Sequence, residues 1–156
     1  MRLTLYSDYA FRVLIYLALR GPELSTIQEI AEAYGISKNH LMKVAHQLGL
    51  AGWVETVRGR GGGLRLKTPP QEIRLGQVVS FTEDDFRLVE CFDVERNSCR
   101  ITPACRLQGI LSEAKRAFLG VLNGFTLADL VEEPDQLMRI LHISAPPDES
   151  AGTAAS

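Results

Sequence analysis

The sequence predicts a mainly helical (α+β) fold with three N-terminal helices, a β-hairpin and a long C-terminal helix, in that order. Apolar residues recur with the helical period over the first fifty positions, and each stripe begins at a capping residue. Two strand-like segments flank a glycine-rich turn between residues 53 and 67. A longer apolar stripe then runs from Arg106 to about Leu122.

These elements divide the chain into three predicted parts. Residues 1–70 form the helices and hairpin, and residues 71–133 carry an irregular loop followed by the long helix. Residues 134–156 are expected to be a C-terminal tail. Beyond residue 144 the composition is rich in Ala, Pro and Ser, which is typical of a disordered segment.

Capping residues predict where the first two helices begin. Ser7 can cap a helix from about Asp8 to Leu19, which Gly21-Pro22 ends. Ser25 and Gln28 form a Ser-x-x-Gln capping box, which predicts a short helix ending at Tyr34.

The third helix has one apolar and one polar face. Gly35 permits a tight turn, and Ser37 is the predicted cap of a helix from about Lys38 to Leu48. Its inward positions are Leu41, Val44, Ala45 and Leu48, and its outward positions include Lys38, Asn39, Met42, Lys43, His46 and Gln47. Two short helices around a glycine turn indicate a helix-turn-helix, although a plain helical hairpin shows the same pattern.

The hairpin that follows favours the helix-turn-helix interpretation. Trp53–Val57 and Leu64–Lys67 have strand composition, and Arg58-Gly59-Arg60-Gly61-Gly62-Gly63 lies between them. A helix-turn-helix followed by a basic hairpin is a winged helix, in which the hairpin is the wing. A nucleotide-binding loop would need Gly-Lys-Ser/Thr opening a helix, whereas strand residues follow here.

The charge distribution is consistent with a polyanionic partner. Residues 1–70 carry nine Lys/Arg against five Asp/Glu, while residues 71–156 carry eight against fourteen. A solvated surface strip would give the same balance, so charge alone does not decide. With the winged helix, it predicts binding to a double-stranded DNA operator. The candidate DNA-contacting residues are Lys38, Asn39, His40, Lys43, Arg58 and Arg60.

The long helix is expected to form a homodimer. Its stripe comprises Leu107, Ile110, Leu111, Ala114, Phe118, Val121 and Leu122. One small subunit has too little surface to cover a helix of this length, so a second copy is the natural cover. The chain is predicted to be cytoplasmic and not associated with a membrane, because its longest apolar stretch is short and contains Arg12.

The three cysteines of the chain lie within fifteen residues, as Cys91-x7-Cys99-x5-Cys105. Zinc sites usually contain close Cys-x2-Cys pairs, which are absent here, and a thiol switch would leave one cysteine unexplained. An iron–sulfur cluster tolerates such irregular spacing, and Cys105 precedes a helix whose N-terminus favours an anionic group. The pattern therefore favours a cluster over zinc, with both still possible at this point.

The sequence resembles the family of winged-helix iron–sulfur transcriptional regulators, and in particular its nitric-oxide-sensing repressors. The matching stretches are MRLTLYSDYAFRVLIYLAL, ISKNHLMKVAHQLGLAGWVETVRGRGGGLRL and CRITPACRLQGILSEAKRAFLGVLNGFTLADLV. The resemblance implies a homodimer with a [4Fe–4S] cluster per subunit, held by Cys91, Cys99 and Cys105 and completed by Asp8 of the partner subunit. It also implies that nitric oxide reacts with the cluster, releases DNA and derepresses nitric-oxide-detoxification genes.

Alternatives remain within and outside this family. A resemblance to the cluster-biogenesis regulators of the family would imply a [2Fe–2S] site completed by a histidine three residues after the last cysteine. In this sequence that position is Gln108. A thiol- or zinc-dependent regulator is a further possibility. An enzyme is disfavoured, because no nucleophile–base pair or substrate-pocket motif stands out.

Overall fold

The computed structural model describes residues 2–83 and 86–144 and has the winged-helix architecture. The helices are α1 Leu5–Arg20, α2 Ile27–Tyr34, α3 Lys38–Leu50, α4 Leu75–Thr82, α5 Leu107–Asn123 and α6 Pro134–Ile140. The strands are β1 Val54–Val57 and β2 Gly63–Leu66. The predicted fold class is confirmed. In the described ranges, no helix is long and apolar enough to cross a membrane.

The predicted helix caps were wrong at the first two helices. The N-cap of α1 is Thr4, whose side chain accepts the backbone N–H of Ser7, because the Ser7 hydroxyl is itself buried and hydrogen-bonded to Thr82. The N-cap of α2 is Thr26, which forms the capping box with Glu29. Ser25 instead pairs its backbone with Leu64 of the hairpin.

The third helix follows its predicted pattern. Gly35 adopts the left-handed conformation that the turn requires, and Ser37 occupies the N-cap position of α3, although its side chain makes no capping bond. All four residues predicted to face inward are buried: Leu41, Val44, Ala45 and Leu48. The helix-turn-helix interpretation is therefore confirmed at the level of side-chain packing.

The wing is a two-stranded antiparallel hairpin in the predicted position. Val54 pairs with Leu66 at its base and Val57 with Gly63 at its tip. The chain before α2 extends this sheet by one bridge, since Ser25 donates to the Leu64 carbonyl at 2.9 Å and accepts from the Leu64 amide at 2.7 Å. The wing is thus attached along one edge to the helical body.

One apolar core joins the DNA-binding helices to the later part of the chain. Val13 and Leu14 of α1 are fully buried in the same cluster as Leu41 of α3 and Val78 of α4. Leu127, which follows α5, belongs to this cluster too, and its amide donates to the Ile73 carbonyl at 2.8 Å. The start of α4 and the end of α5 are consequently fixed against α1.

Helix α5 crosses α4 at Gly76, where the two backbones approach closely. A Cβ added at this glycine would lie 2.8 Å from the Leu119 carbonyl oxygen and would also collide with the Asn123 side chain. Away from this crossing, α5 is only half-buried on one side, and none of its residues is fully buried. Its most exposed face carries Leu107, Ile110, Ala114, Ala117 and Val121.

A short helix near the C-terminus was not predicted. Residues 134–144 were expected to belong to the tail, yet α6 forms there, and Leu141 and Ile143 after it are buried in the core. Proline at the first position of α6 is compatible with a helix start. The disorder predicted beyond residue 144 lies outside the described residues.

Candidate nucleic-acid interface and cysteine segment

Helix α3 is here called the reader helix, and its outer face exposes the four of the six predicted DNA-contacting residues that it carries. Lys38, Asn39, His40 and Lys43 are exposed, and the helix is held by its opposite apolar face. The His40 ring lies 6.2 Å from that of Tyr9 in α1, so this side chain leans toward α1. Among the described residues, Lys38, Asn39 and Lys43 make no such ring contact. They project cationic and amide groups of the kind used to contact phosphates and base edges.

Two arginines occupy the tip of the wing. Arg58 and Arg60 are exposed, and neither forms an ion pair with any described residue. Arg65 behaves differently, because its Nε lies 2.5 Å from Glu55 Oε1 on the paired strand. Only part of the basic cluster seen in the sequence is therefore available to a polyanion.

The glycines of the wing are required by the turn itself. Gly59 and Gly61 have φ values of 102° and 76°, which L side chains rarely adopt. A Cβ on Gly62 would collide with the Val57 carbonyl oxygen. This turn accounts for the glycine run, and it presents Arg58 and Arg60 on a tip without bulky neighbours.

Trp53 lies where the reader helix, the wing and α4 meet. Its backbone N–H donates to Leu48 near the end of α3 at 3.1 Å, and its carbonyl accepts the Lys67 N–H at 2.9 Å. Its ring packs edge-on against Phe81 of α4, with 5.4 Å between centroids and an interplanar angle of 73°. The geometry is that of a favourable T-shaped aromatic pair.

The three cysteines lie in residues 86–106, here called the cysteine segment. Each cysteine is half-buried, and none forms a disulfide. Glu90 accepts hydrogen bonds from the Ser98 amide and hydroxyl at 2.7 and 2.5 Å, which joins the neighbours of Cys91 and Cys99. These hydrogen bonds hold the pKa of Glu90 below its ordinary value.

Cys105 and Cys91 are connected to α5. Cys105 precedes the helix by two residues, as the sequence predicted. In the first turn of α5, Gln108 Nε2 donates to the Cys91 carbonyl at 2.7 Å. Gln108 occupies the position at which a [2Fe–2S] site of the cluster-biogenesis type would need a histidine ligand. Its side-chain amide bonds to the Cys91 backbone instead.

The structure does not bring the predicted ligands together in one chain. Among residues 2–83 and 86–144, no three His, Cys, Asp or Glu side chains are placed to hold a metal ion. The donor chemistry nevertheless fits an iron–sulfur cluster, because three unpaired, partly accessible thiols lie on one short segment.

Asp8 is partly exposed and lies in the first turn of α1. Its carboxylate pairs with Arg12 at 2.8 Å, and its side chain is 44% exposed. The Arg12 guanidinium also lies over the rings of Tyr9 and Tyr34, 5.9 and 5.7 Å from their centroids. Burial raises the pKa of Tyr34 to about 12, although Arg12 opposes that rise. The Asp8 carboxylate is thus partly accessible from outside the chain while Arg12 holds it in place.

A polar cluster ties the start of α1 to the end of α4. Glu83 accepts hydrogen bonds from the Thr4 amide at 2.7 Å and from the hydroxyls of Thr4 and Ser7. Ser7 Oγ also lies 2.7 Å from Thr82 Oγ1. Partial burial raises the pKa of Glu83, but these hydrogen bonds outweigh burial and bring it below its ordinary value.

Sequence patterns did not reveal this cluster or the Trp53–Phe81 contact. Both join residues far apart in the chain, and neither has a characteristic spacing. Nothing in the local sequence distinguishes Ser7, which is fully buried, from a helix cap.

Comparison with known proteins identifies close sequence relatives. Residues 3–133 match the Rrf2 family, described as iron-dependent transcriptional regulators. The HTH-type transcriptional regulator NsrR of Bacillus subtilis (strain 168) is 56% identical over 142 residues, which cover 90% of this chain and 97% of that protein. The NsrR of Shouchella clausii (strain KSM-K16) is 51% identical over 142 residues, covering 90% of this chain and 95% of that protein.

Solved structures agree on the fold. CymR (YrzC), the global cysteine regulator of B. subtilis, superposes with a TM-score of 0.67 at 27% identity, covering 85% of this chain and 97% of that one. T. potens IscR superposes with the same TM-score of 0.67 at 24% identity, over 88% of this chain and 90% of that one. At that identity, the second match supports the fold alone.

Proposed function

The chain belongs to the Rrf2 family of iron-dependent transcriptional regulators, and we propose that it is a repressor whose hold on DNA depends on an iron–sulfur cluster and ends when nitric oxide reacts with that cluster. Its relatives are transcriptional regulators, so the expectation that it is not an enzyme is confirmed. Residues 1–70 would bind the operator, and residues 71–133 would carry the cluster and the dimer contact. Residues 134–144, which were expected to belong to the tail, instead contribute Leu141 and Ile143 to the core. A chromosomal operator implies a cytoplasmic location.

The DNA-binding part of the proposal rests on the reader helix and wing. Lys38, Asn39 and Lys43 lie exposed on one element, and Arg58 and Arg60 on the next. A reader helix enters the major groove with its N-terminal residues toward the bases, while a wing contacts the backbone or the minor groove. His40 is the weakest of the predicted contacts because it leans on Tyr9.

The cysteine segment supplies the donor set for a cluster. Cys91, Cys99 and Cys105 would each provide one thiolate, and when bound, a [4Fe–4S] cluster would supply an iron that lacks a cysteine ligand and can react with nitric oxide. A [2Fe–2S] cluster completed at position 108 is less well supported, because Gln108 is bonded to the Cys91 carbonyl. Asp8 of the partner subunit is the proposed fourth ligand, and its exposure is compatible with that role.

The chain's own hydrogen bonds would carry the state of the cysteine segment to the reader helix. Thr82 and Glu83 lie four and three residues before the segment and are bonded to Ser7 of α1 and to its N-cap Thr4. Helix α1 packs in the same core as Leu41 of α3. A shift at the start of the segment would therefore move the helix that supports the reader helix.

The homodimer is proposed from the uncovered face of α5. Leu107, Ile110 and Val121 are 52%, 59% and 65% exposed, which is unusual for large apolar residues on one helix face. Phe118 was assigned to the same seam from the sequence, yet its ring packs against Phe86 of its own chain at 5.9 Å. Ile110 and Val121 are better probes of the seam.

The experiment that tests this function follows two signals on one anaerobic sample. Operator DNA is recovered first by selecting a random duplex library on the purified protein. Nitric oxide is then titrated while visible absorbance and DNA-binding anisotropy are recorded together. The proposal expects absorbance to bleach and DNA to dissociate over the same range of nitric oxide.

Three outcomes would contradict it. DNA release with an unchanged spectrum would show that the cluster is not the sensor. Purified protein that contains zinc and lacks visible absorbance would favour the zinc-dependent regulator. Release that is reversed by a thiol reductant in iron-free protein would favour a thiol switch.

A further inference from the structure

We infer that Trp53 and Phe81 are the positioning pair through which the cysteine segment sets the geometry of the reader helix relative to the wing. This inference rests on the proposed function, because it concerns how a cluster-dependent change reaches the DNA-binding elements. It assigns that role to a contact outside the cluster ligands and outside the DNA-facing residues.

Trp53 fixes the angle between the two DNA-binding elements. Its N–H bonds to Leu48 of the reader helix, and its carbonyl receives the Lys67 N–H at 2.9 Å and the Thr68 N–H at 3.4 Å from the far strand of the wing. The Thr68 hydroxyl closes the same junction by donating to the Gly52 carbonyl at 3.0 Å. Any rotation of the Trp53 peptide would therefore tilt the wing relative to the reader helix.

Phe81 connects this junction to the cysteine segment. It lies in the last turn of α4, and the segment begins five residues later at Phe86. Phe81 is 38% exposed, so it contributes less to the core than its buried neighbours Val78 and Val79. Its aromatic partner among the described residues is Trp53, at 5.4 Å. A displacement of the end of α4 would therefore move the Phe81 ring against Trp53.

The other contact at the end of α4 leads to a different element. Thr82 and Glu83 bond to Thr4 and Ser7 at the start of α1, which packs against both the reader helix and the second strand of the wing. The Trp53–Phe81 pair differs from this route because it is a direct aromatic contact between α4 and the Trp53 junction. Its loss should remove the direct link from the end of α4 to that junction while leaving α1 anchored.

The test compares Phe81→Ala with Phe81→Tyr, which keeps the ring and can place its hydroxyl in solvent. Affinity for the selected operator is measured for cluster-loaded and cluster-free forms of each variant. Couplings of this kind are typically about 5- to 150-fold. We expect Phe81→Ala to reduce the loaded-to-free affinity ratio by about tenfold, and Phe81→Tyr to retain the wild-type ratio.

Hydrogen exchange of residues 48–68 provides a second readout that does not depend on DNA. In the wild type and Phe81→Tyr, removing the cluster should change exchange at the Trp53 and Lys67 amides. In Phe81→Ala, the loaded and cluster-free forms should exchange alike. Phe81→Leu, which keeps an apolar side chain without the ring, replaces Phe81→Ala if that variant does not fold.

Each remaining outcome is decisive. An unchanged affinity ratio in Phe81→Ala would overturn the inference, because equal losses of affinity in the two forms would indicate a merely structural role. A wild-type ratio of one would instead refute the proposed function itself. The two failures are therefore distinguishable.

Discussion

The reader helix and wing are built around buried apolar side chains, whereas the cysteine segment has none. Leu41, Leu48 and Val54 are at most 2% exposed, while every residue of the cysteine segment is half-buried or exposed. Hydrogen bonds such as those from Ser98 to Glu90 give the segment its order. Regions with few buried apolar contacts open at low free energy. The segment can therefore rearrange while the DNA-binding elements keep their shape.

The largest expected effect is the loss of the cluster on removal of any one cysteine. Cys91→Ser, Cys99→Ser and Cys105→Ser should each abolish visible absorbance, because a three-thiolate site has no spare ligand. Stability in denaturant should stay within about 0.5 kcal/mol of the cluster-free wild type, since none of these residues supports the core. A variant that lost both absorbance and stability would show that the two regions fold as one.

A matched pair of truncations measures the contrast directly. Leu14 is fully buried, and Leu14→Ala should destabilise the protein by about 2–5 kcal/mol through a cavity in the core. Ile101 of the cysteine segment is 65% exposed, and Ile101→Ala should cost about 0.5 kcal/mol or less. Urea unfolding of the cluster-free protein provides both values. Similar losses would mean that the segment is as tightly packed as the core.

The same contrast explains how far the sequence could predict the structure. The apolar periodicity of α3 predicted all four of its buried residues, because that helix is stabilised by its own amphipathic face. The caps of α1 and α2 were misplaced, since Ser7 and Ser25 bond to Thr82 and Leu64 respectively, far along the chain. Tertiary partners decided these positions, and no local spacing announces them.

The residues of the candidate site also differ in how far the sequence could predict them. The exposed reader and wing residues could be predicted, because they lie opposite an apolar face or on a glycine-rich tip. The cysteines could be named from their clustering, but their mutual geometry could not, because the segment has no periodic pattern. The face of α5 was only partly predictable, since the apolar stripe does not show that Phe118 turns toward Phe86.

Dimer formation provides the next prediction. Ile110→Asp should weaken the dimer by roughly 2 kcal/mol or more, because a carboxylate in an apolar seam has no partner. Arg116→Asp, on another exposed face of α5, is the control and should leave association unchanged. Sedimentation velocity over a range of concentrations gives the result. A normal dimer of Ile110→Asp would exclude this face.

A smaller effect is expected from the wing arginines. Arg58→Ala combined with Arg60→Ala should weaken operator binding and lower the salt slope by roughly one to two phosphate contacts. Arg139→Ala removes an exposed arginine of α6, which is part of neither the reader helix nor the wing, and should not alter the slope. Affinity for the operator is measured at several salt concentrations. If the double variant matched the wild type, the wing would be excluded from the DNA interface.

The mildest change is expected at Asp8. A single carboxylate ligand can be replaced by water or a small thiol, so Asp8→Ala should keep its visible absorbance. Its nitric oxide response or DNA affinity should differ from the wild type, because the cluster would no longer be tied to the partner's first helix. Complete loss of absorbance would show that this ligand is as essential as the thiols.

The close approach at Gly76 gives α5 the mechanics of a lever. The two helices approach backbone to backbone near Leu119, and the Asn123 side chain packs against the glycine. From Leu119 to Leu107 the helix extends for twelve residues, or about 18 Å at the usual rise. A rotation of about 5° at the crossing would move the Leu107 end by roughly 1.5 Å. Cys105 lies just beyond that end, so a small change in the crossing angle of α4 and α5 would displace its thiol by a comparable distance.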